Sequence, residues 1–587
     1  MGRPGPATGL LTTLALVGAT LLGVAPALAA DPDREQVRDT AAPARGTAWQ
    51  PSTTRPTTLG RVRGREPSAG SYSWLGVPYA EPPVGDLRWR PPVTHRRWDG
   101  VRRTTAYGDG CTQPGRMFSP SPDGPHYDLQ IRDGLGTPVG SEDCLTLNVF
   151  RPATAERDLP VILFVHGGSN TVGYSADPLY DGRHLARRAN AVVVTVNYRL
   201  GLFGWLNHEG LKTGEPVADS GNFGTLDIIE SLRFVHRNAR TFGGDAGNVT
   251  VMGESAGAVN VWSLLVSPLT KGLVHKAVPM SGGLSFAPEA QGRTYADQLA
   301  TYAVDEEGTP EDAEDPIPLM RSLSAEELQA LALRHPELGA NPPAVFPDGA
   351  VVPEDPYGAI AAGDYRKGPL LAGNTLEEGK LFGALVGAYA VDDRRRFTLM
   401  HRSRPDRPSG LETSDLIAEQ YLPVDRPGGW DDAAEALTRG VFTQLTAQSM
   451  GQLQAAGHRK LFYYQFAWDS EPQPWDEVYG SVHAMDLPFA FGTFGRSLFS
   501  FAYGPANRPG RLELSALMTR SLSRFVRTGD PGHAGLDDPW QQWPASTVFD
   551  ATKRRASGTA GTFVPPDAAP TGYRLPADLV GPFGPVG

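Results

Sequence analysis

The sequence predicts an α/β protein with a mostly parallel central sheet flanked by helices. Short apolar runs, rich in β-branched and aromatic residues, recur along the chain and suit strands that are buried on both faces. A stretch with helical spacing, residues 226–235, separates two of these runs at a crossover length, which favours parallel strands. The runs that predict central strands are residues 161–165, 191–196, 249–252 and 461–466.

Size and charge narrow the classes of function. The chain has 587 residues, of which 40% are hydrophobic and 20% charged, as expected of a globular protein with a large core. The formal net charge of -11 disfavours nucleic acid or an anionic membrane surface as a partner. We therefore expect a monomer or small homo-oligomer that acts on a small molecule.

The first 29 residues are interpreted as a signal peptide that directs secretion. Arg3 precedes an apolar run at residues 10–24, and Ala27-Leu28-Ala29 then offers a cleavage site for signal peptidase. The alternative is an N-terminal membrane anchor, but a run of about fifteen residues is short for a bilayer. No later segment is apolar enough to predict a membrane span, so we expect no membrane insertion after cleavage.

The rest of the chain is interpreted as one domain between two loose ends. Residues 30–58 are rich in Ala, Pro, Arg and Thr and predict a flexible leader. Residues 59–555 contain the predicted strands and helices without a clear linker. Residues 556–587 are rich in Gly and Pro and predict a surface tail.

A serine nucleophile is predicted at the end of the third apolar run. Residues 253–257 read Gly-Glu-Ser-Ala-Gly, directly after the predicted strand 249–252 and before a helical stretch. This strand-turn-helix setting is typical of the nucleophile elbow of the α/β-hydrolase fold, which would present the hydroxyl of Ser255 at a helix N-terminus. The alternative is a glycine-rich turn with an inert serine.

A serine nucleophile needs a base and an acid, which this fold takes in the chain order Ser, acid, His. Of the histidines after Ser255, His483 lies in a loop beyond the predicted strand 461–466, although a surface histidine is the alternative. Glu377 and Glu378 both follow the apolar run 369–373, and either could orient the histidine. An exposed acidic pair without a catalytic role is the other interpretation.

The backbone amides of an oxyanion hole are predicted in two places. One amide belongs to Ala256, which follows the nucleophile. Others belong to the segment His-Gly-Gly-Ser at residues 166–169, after the predicted strand 161–165. Glycines allow close approach of the backbone to a substrate. A phosphate-binding loop is excluded because no Gly-Lys-Ser/Thr follows.

The two cysteines, Cys111 and Cys144, lie in one region of the chain. An even cysteine count in an exported protein predicts one disulfide. Two buried free thiols are the alternative.

Several long motifs resemble the type-B carboxylesterase/cholinesterase family over roughly residues 59–550. The resemblance implies long loop insertions that form a gorge, a Cys111–Cys144 disulfide at its rim, and Glu378 rather than Glu377 as the acid. It supports His483 as the base and places Glu254 as a buried carboxylate near the gorge floor; the alternative for Glu254 is a partly exposed acid at a helix N-terminus. The motifs are residues 74–80 with 87–89, 141–145, 221–224 with 242–257, and 488–492.

The oxyanion loop and the disulfide loop depart from the family pattern. Ser169 stands where the family has a third small residue, and Asn170 stands where it has an aromatic, so we expect Gly168 and Ser169 to donate their amides in a more polar pocket. No tryptophan lies between Cys111 and Cys144, whereas cholinesterases use one to bind a quaternary ammonium group. Choline esters are therefore disfavoured as substrates.

The function predicted from these residues is hydrolysis of uncharged carboxylic esters through an acyl-serine intermediate, without a cofactor or a metal. Ser255, Glu378 and His483 would form the triad, and Glu254 would support it. A lipase acting on longer acyl chains is a close alternative. A catalytically inert binding protein of the same fold is an alternative from a different class.

Overall fold

A computed structural model describes residues 49–307, 315–340, 342–407 and 409–563. The predicted signal peptide and most of the predicted leader lie outside these residues. Within the described part of the chain, no helix is both long and apolar enough to cross a membrane.

The described residues form one large mixed sheet with a parallel centre. Its strand order is β16-β15-β14-β13-β12-β11-β9-β10-β8-β4-β3, and neighbouring strands from β15 to β10 in this order are parallel. The strands of the structure are β1 Thr54–Pro56, β2 Arg61–Arg63, β3 Arg65–Ser68, β4 Ser71–Pro78, β5 Val101–Arg103, β6 Gln113–Pro114, β7 Pro138–Val139, β8 Thr146–Pro152, β9 Leu159–Val165, β10 Val192–Val196, β11 Gly244–Glu254, β12 Lys276–Met280, β13 Leu370–Thr375, β14 Leu461–Phe466, β15 Ala545–Ala551 and β16 Ala556–Thr562.

Helices cover both faces of this sheet, and each face has its own apolar core. Helices α4 and α5 pack on one face with buried leucines and a tryptophan, whereas α2, α14 and α15 pack on the other. The helices are α1 Ile131–Gly134, α2 Gly182–Ala189, α3 Gly201–Gly204, α4 Phe223–Asn238, α5 Ala256–Val266, α6 Glu289–Glu307, α7 Ile317–Ser322, α8 Ala325–Arg334, α9 Pro356–Ala362, α10 Asp393–Arg402, α11 Trp430–Leu437, α12 Gln444–Ala455, α13 Trp475–Val478, α14 Asp486–Phe491 and α15 Arg508–Thr528.

The predicted central strands and the helix between them are present. The apolar runs lie in β9, β10, β11 and β14, and the residues of these runs are almost all buried; the helical stretch corresponds to α4. Because parallel strands end at one edge of the sheet, the segments that follow β9, β11, β13 and β14 converge there. The predicted site residues belong to these segments.

Two of the predicted domain boundaries do not match the structure. Strand β1 lies inside the predicted leader and pairs with β2, so residues from Thr54 onwards belong to the fold. The predicted tail begins with β16, which pairs with β15 along its whole length. The composition did not predict these two strands, because a short edge strand can form from polar or small residues through backbone hydrogen bonds alone.

The predicted disulfide between Cys111 and Cys144 is present. Both residues are buried, and the described part of the chain contains no free cysteine. The bridge closes a loop that spans a sequence separation of 33 residues.

Loss of this disulfide is expected to destabilise the protein. Closing a loop with a separation of 33 residues restricts the unfolded chain and contributes about 3–4 kcal/mol in the chain-entropy model. The double variant Cys111→Ala/Cys144→Ala should therefore unfold at lower denaturant concentration than the oxidised wild type. A reductant should lower the wild-type midpoint and leave that of the variant unchanged. Equal midpoints for variant and oxidised wild type would contradict the prediction.

Candidate active site

Ser255 occupies a strained turn between β11 and α5. Its backbone dihedrals are φ 58° and ψ -125°, a conformation that non-glycine residues rarely adopt. The amide of Ser255 donates a hydrogen bond to the carbonyl of Met280 on β12, at 2.9 Å, which helps to hold the turn. Ser255 is only partly buried, which leaves part of the residue accessible at the carboxyl edge of the sheet.

The glycines on either side of Ser255 permit this turn sterically. A Cβ atom on Gly253 would lie 2.4 Å from the carbonyl oxygen of Gly257. A Cβ atom on Gly257 would lie 2.2 Å from the carbonyl oxygen of Val165, at the end of β9. The Gly-x-Ser-x-Gly pattern is therefore required by the close packing of strand, turn and helix.

His483 and Glu378 form a buried pair next to this turn. The Nδ1 atom of His483 lies 2.5 Å from Oε2 of Glu378. The other oxygen, Oε1, accepts hydrogen bonds from the amide of Thr375, at 2.9 Å, and the side chain of Asn374, at 3.1 Å. Burial alone raises the pKa of Glu378, but the charge of His483 and hydrogen bonds with His483 and Asn374 bring it below the ordinary value.

The neighbouring Glu377 contacts different groups. Its Oε2 accepts a hydrogen bond from the amide of Ser481 at 2.8 Å, and its Oε1 lies 2.6 Å from Nζ of Lys380. The backbone amide of Glu377 also donates to the carbonyl of Ser481. Glu377 thus fixes the loop that carries His483, whereas Glu378 contacts the imidazole itself.

Glu254 supplies a second carboxylate to His483. Its Oε1 lies 2.9 Å from Nε2 of the imidazole, and its side chain is 4% exposed. The imidazole therefore lies between two buried carboxylates. Burial by itself lowers the pKa of His483, but the charges of Glu254 and Glu378 outweigh this and raise it to about 10.

The sequence predicts that His483 acts as a base on Ser255, but the two residues are not hydrogen-bonded in this structure. Nε2 contacts Oε1 of Glu254 instead. The physical reason is charge: a carboxylate attracts the imidazole more strongly than a neutral hydroxyl does. His483 and Glu378 are paired in this structure, whereas no hydrogen bond is formed between His483 and Ser255.

Two aromatic rings that the sequence analysis missed pack against His483. The ring centroids of Phe382 and Phe442 lie 5.1 Å and 4.7 Å from that of the imidazole, and the two phenylalanines stack on each other. Phe382 follows Glu378 by four residues, and this spacing could have predicted that its ring lies near His483. Phe442 lies in a π-helical turn, Thr438–Thr443, for which the sequence carries no simple signal.

The predicted oxyanion loop follows β9 and lies directly beside Ser255. A Cβ atom on Gly167 would be 2.7 Å from the carbonyl oxygen of Glu254 and 2.9 Å from Cβ of Ser255. Gly168 has φ 99° and Ser169 has φ 54°, so the loop is folded tightly. Within the described structure, the amides of Gly168, Ser169 and Ala256 donate no hydrogen bond, which leaves them available for a ligand.

The side chain of Asn170 is buried against helix α5. It is 4% exposed, and its Oδ1 accepts a hydrogen bond from Nδ2 of Asn260 at 2.8 Å. The left-handed backbone at Asn170, with φ 58°, turns this side chain towards α5. Its amide oxygen is therefore bonded within the protein, and the expected effect of Asn170 on the polarity of the pocket stays a prediction.

One group of possible metal ligands occurs in the described part of the chain, at Asp123, His126 and Asp128. These residues lie in the disulfide loop, where His126 pairs with both carboxylates. Asp123 and His126 are exposed, and exposed acidic groups commonly cluster in this way.

Comparison with known proteins agrees with this geometry. The family model described as "Carboxylesterase family" matches residues 51–557, which is most of the chain. The chain belongs to the carboxylesterase family. The resemblance inferred from the motifs is therefore confirmed, and serine carboxylesterase activity is the activity that this membership supports.

Individual relatives of this carboxylesterase come from bacteria and mammals. It is 37% identical to the fumonisin B1 esterase of Sphingopyxis macrogoltabida, covering 86% of this chain and 87% of that protein. It is 32% identical to the para-nitrobenzyl esterase of Bacillus subtilis (83% and 91% covered) and 30% identical to the rat carboxylesterase 1D (85% and 89%). A solved PNB esterase structure is similar with a TM-score of 0.68 at 28% identity, over 87% of this chain and 97% of that one. The predicted α/β-hydrolase fold is thereby confirmed.

Proposed function

We propose that this carboxylesterase hydrolyses uncharged carboxylic esters through an acyl intermediate on Ser255. The observation that carries the proposal is the buried pair of His483 and Glu378 beside the strained turn that exposes Ser255. A nucleophile, a base and an acid that orients the base are the groups that acyl transfer requires. Glu254 supports them as a second buried carboxylate.

The reaction proceeds in two halves. The hydroxyl oxygen of Ser255 attacks the ester carbonyl as Nε2 of His483 takes its proton, and the amides of Gly168, Ser169 and Ala256 bind the oxyanion. The tetrahedral intermediate collapses, and the imidazolium gives its proton to the departing alcohol. Water then attacks the acyl-serine, again losing a proton to His483, and the acid product leaves while Ser255 regains its proton.

Both carboxylates act on the charge of the base. Glu378 contacts Nδ1 and holds the imidazole in one orientation, and Glu254 lies at the opposite nitrogen. An imidazolium forms in each half-reaction, and two adjacent negative charges stabilise it. The same charges raise the pKa of His483 to about 10, so the neutral base required for attack accumulates at alkaline pH.

Removing the charge of Glu254 is expected to shift the pH profile. In Glu254→Gln the imidazolium loses one stabilising carboxylate, so the pKa of His483 falls. The rising limb of kcat/KM, which follows loss of the proton from His483, should move to lower pH. The plateau rate should fall, because the imidazolium in the transition state is also less stabilised.

The matched control is Glu230→Gln. Glu230 is another buried carboxylate, which pairs with Arg237 away from Ser255. The kcat/KM of its variant should therefore rise over the same pH range as that of the wild type. An unchanged limb in folded Glu254→Gln would show that Glu254 does not set the charge of His483.

Covalent labelling tests the proposal directly. A fluorophosphonate should react with Ser255 in the wild type, as identified by mass spectrometry of the labelled peptide, and should not react with Ser255→Ala. A panel of p-nitrophenyl esters from acetate to palmitate then measures the preferred acyl length. Absence of both labelling and turnover would favour an inert binding protein, and activation by lipid droplets would indicate a lipase.

We propose that the protein is secreted with its signal peptide removed near Ala29 and works as a monomer or small homo-oligomer. The support is the sequence of the N-terminal segment together with the disulfide, because disulfides persist in oxidising compartments. N-terminal sequencing of the protein from culture medium would locate the cleavage site. Recovery of the intact N-terminus in the membrane fraction would instead indicate an anchor.

A further inference from the structure

The predicted oxyanion donors lie on two separate parts of the fold. Gly168 and Ser169 belong to the loop after β9, whereas Ala256 begins helix α5. A side-chain hydrogen bond connects the two parts, from Nδ2 of Asn260 on α5 to Oδ1 of Asn170 on the loop, at 2.8 Å. We infer that this amide pair is a positioning device that holds the two sets of donors at the separation the oxyanion needs. The inference rests on the proposed ester hydrolysis.

The loop has a conformation that needs such a restraint. Ser169 and Asn170 both have left-handed backbones, with φ of 54° and 58°. Asparagine tolerates this region better than most residues do, but serine has no such preference. The carbonyl of Asn170 also accepts a hydrogen bond from the amide of Gly201 at 2.7 Å. Backbone and side chain of Asn170 are therefore both fixed.

Asn260 is placed to act on the whole loop. It is fully buried near the start of α5, one turn after Ala256. Its amide also contacts the hydroxyl of Tyr198, which donates to the carbonyl of His166 at 2.7 Å. Helix α5 is thus tied to the loop at Asn170 directly and at His166 through Tyr198.

We expect the amide pair to increase the stability of the transition state. The donors bind an oxygen that carries full charge only in the tetrahedral species, so a displaced loop weakens that binding more than binding of the ester. Loss of a single oxyanion donor costs about a hundredfold or more in kcat, and a misplacement of about 1 Å has effects of similar size. Breaking the amide pair should therefore lower kcat with little change in KM.

The experiment uses two single variants and their combination. Asn170→Gly removes the side chain while allowing the left-handed backbone, and Asn260→Ala breaks the same hydrogen bond from α5. Each is expected to lower kcat by about ten- to a hundredfold, with KM within about twofold of the wild-type value. Each should also weaken the binding of a trifluoromethyl ketone, an inhibitor that forms a tetrahedral adduct, by a similar factor. Asn260→Ala already removes the hydrogen bond that Asn170→Gly removes, together with the contact to Tyr198, so the double variant should be no slower than Asn260→Ala.

Controls separate positioning from stability. Asn507 is also buried, and its Nδ2 donates to the carbonyls of Ser470 and Ala502. Asn507→Ala should lower the melting temperature without lowering kcat per fluorophosphonate-reactive serine. If either single variant fails to fold, the other still tests the same bond.

Two outcomes would overturn the inference. One is wild-type kcat in a folded single variant; the other is a double variant whose loss equals the product of the two single losses. In either case, the proposed function would still stand if the wild-type protein reacts with the fluorophosphonate and hydrolyses esters. A wild type without labelling or turnover would instead refute the proposed function itself.

Discussion

Replacing Ser255 or His483 with alanine is expected to lower kcat about a millionfold, because the members of a catalytic triad act as a unit. The structure favours this outcome, since a strained turn leaves Ser255 partly exposed and His483 is buried against Glu378. The double variant should be little worse than either single variant. Measurement of kcat on a p-nitrophenyl ester, with circular dichroism to confirm folding, tests the prediction.

The two adjacent glutamates provide the sharper comparison. Glu378→Gln removes the charge at Nδ1 of the imidazole and should lower kcat strongly, though less than loss of the base itself. Glu377→Gln alters contacts with Ser481 and Lys380 and should mainly affect stability. A larger loss of kcat in folded Glu377→Gln than in Glu378→Gln would contradict our assignment of the acid.

Adding a single methyl group at Gly167 is also expected to have a large effect. In Gly167→Ala the new Cβ would meet the backbone and carboxylate of Glu254, each at 2.7 Å, and Cβ of Ser255 at 2.9 Å. Contacts this short force the oxyanion loop away from the nucleophile. We expect kcat to fall about a hundredfold or more, as it does when oxyanion donors are lost.

Gly451→Ala is the matched control for this variant. Gly451 lies inside α12, and a Cβ atom there would meet nothing within 4 Å. Its replacement should preserve kcat and stabilise the helix by about 1 kcal/mol. Wild-type turnover in Gly167→Ala, measured per fluorophosphonate-reactive serine, would show that the loop adjusts without leaving the oxyanion site.

Much of the architecture could be predicted because the relevant signals are local. The central strands are continuous apolar runs, and a strand that is buried on both faces has no other pattern. The elbow could be predicted because its glycines are required by contacts within a few residues and with β9. The choice between Glu377 and Glu378 could not be made from such signals, because both follow the same strand; it came from the family resemblance.

The remaining features depend on contacts between distant segments. The approach of Glu254 to His483 joins residues that are far apart in the chain. Phe442 reaches the imidazole only through a π-helical turn in the helical segment between α11 and α12. The hydrogen bond between Asn170 and Asn260 could not be predicted, because Asn260 lies on another element. Sequence patterns report which face of an element is apolar, but not which side chain of another element meets it.

The division of contacts between Glu377 and Glu378 limits how this part of the chain can change. One residue anchors the backbone of the segment that carries His483, and the next residue contacts its ring. An inserted or deleted residue at this point would shift both contacts out of register at once. Length variation in the family should therefore be absent between the end of β13 and Glu378, and accumulate in the surface loops beyond it. Designers who graft new gorge walls onto this scaffold should treat residues 375–378 as one indivisible unit.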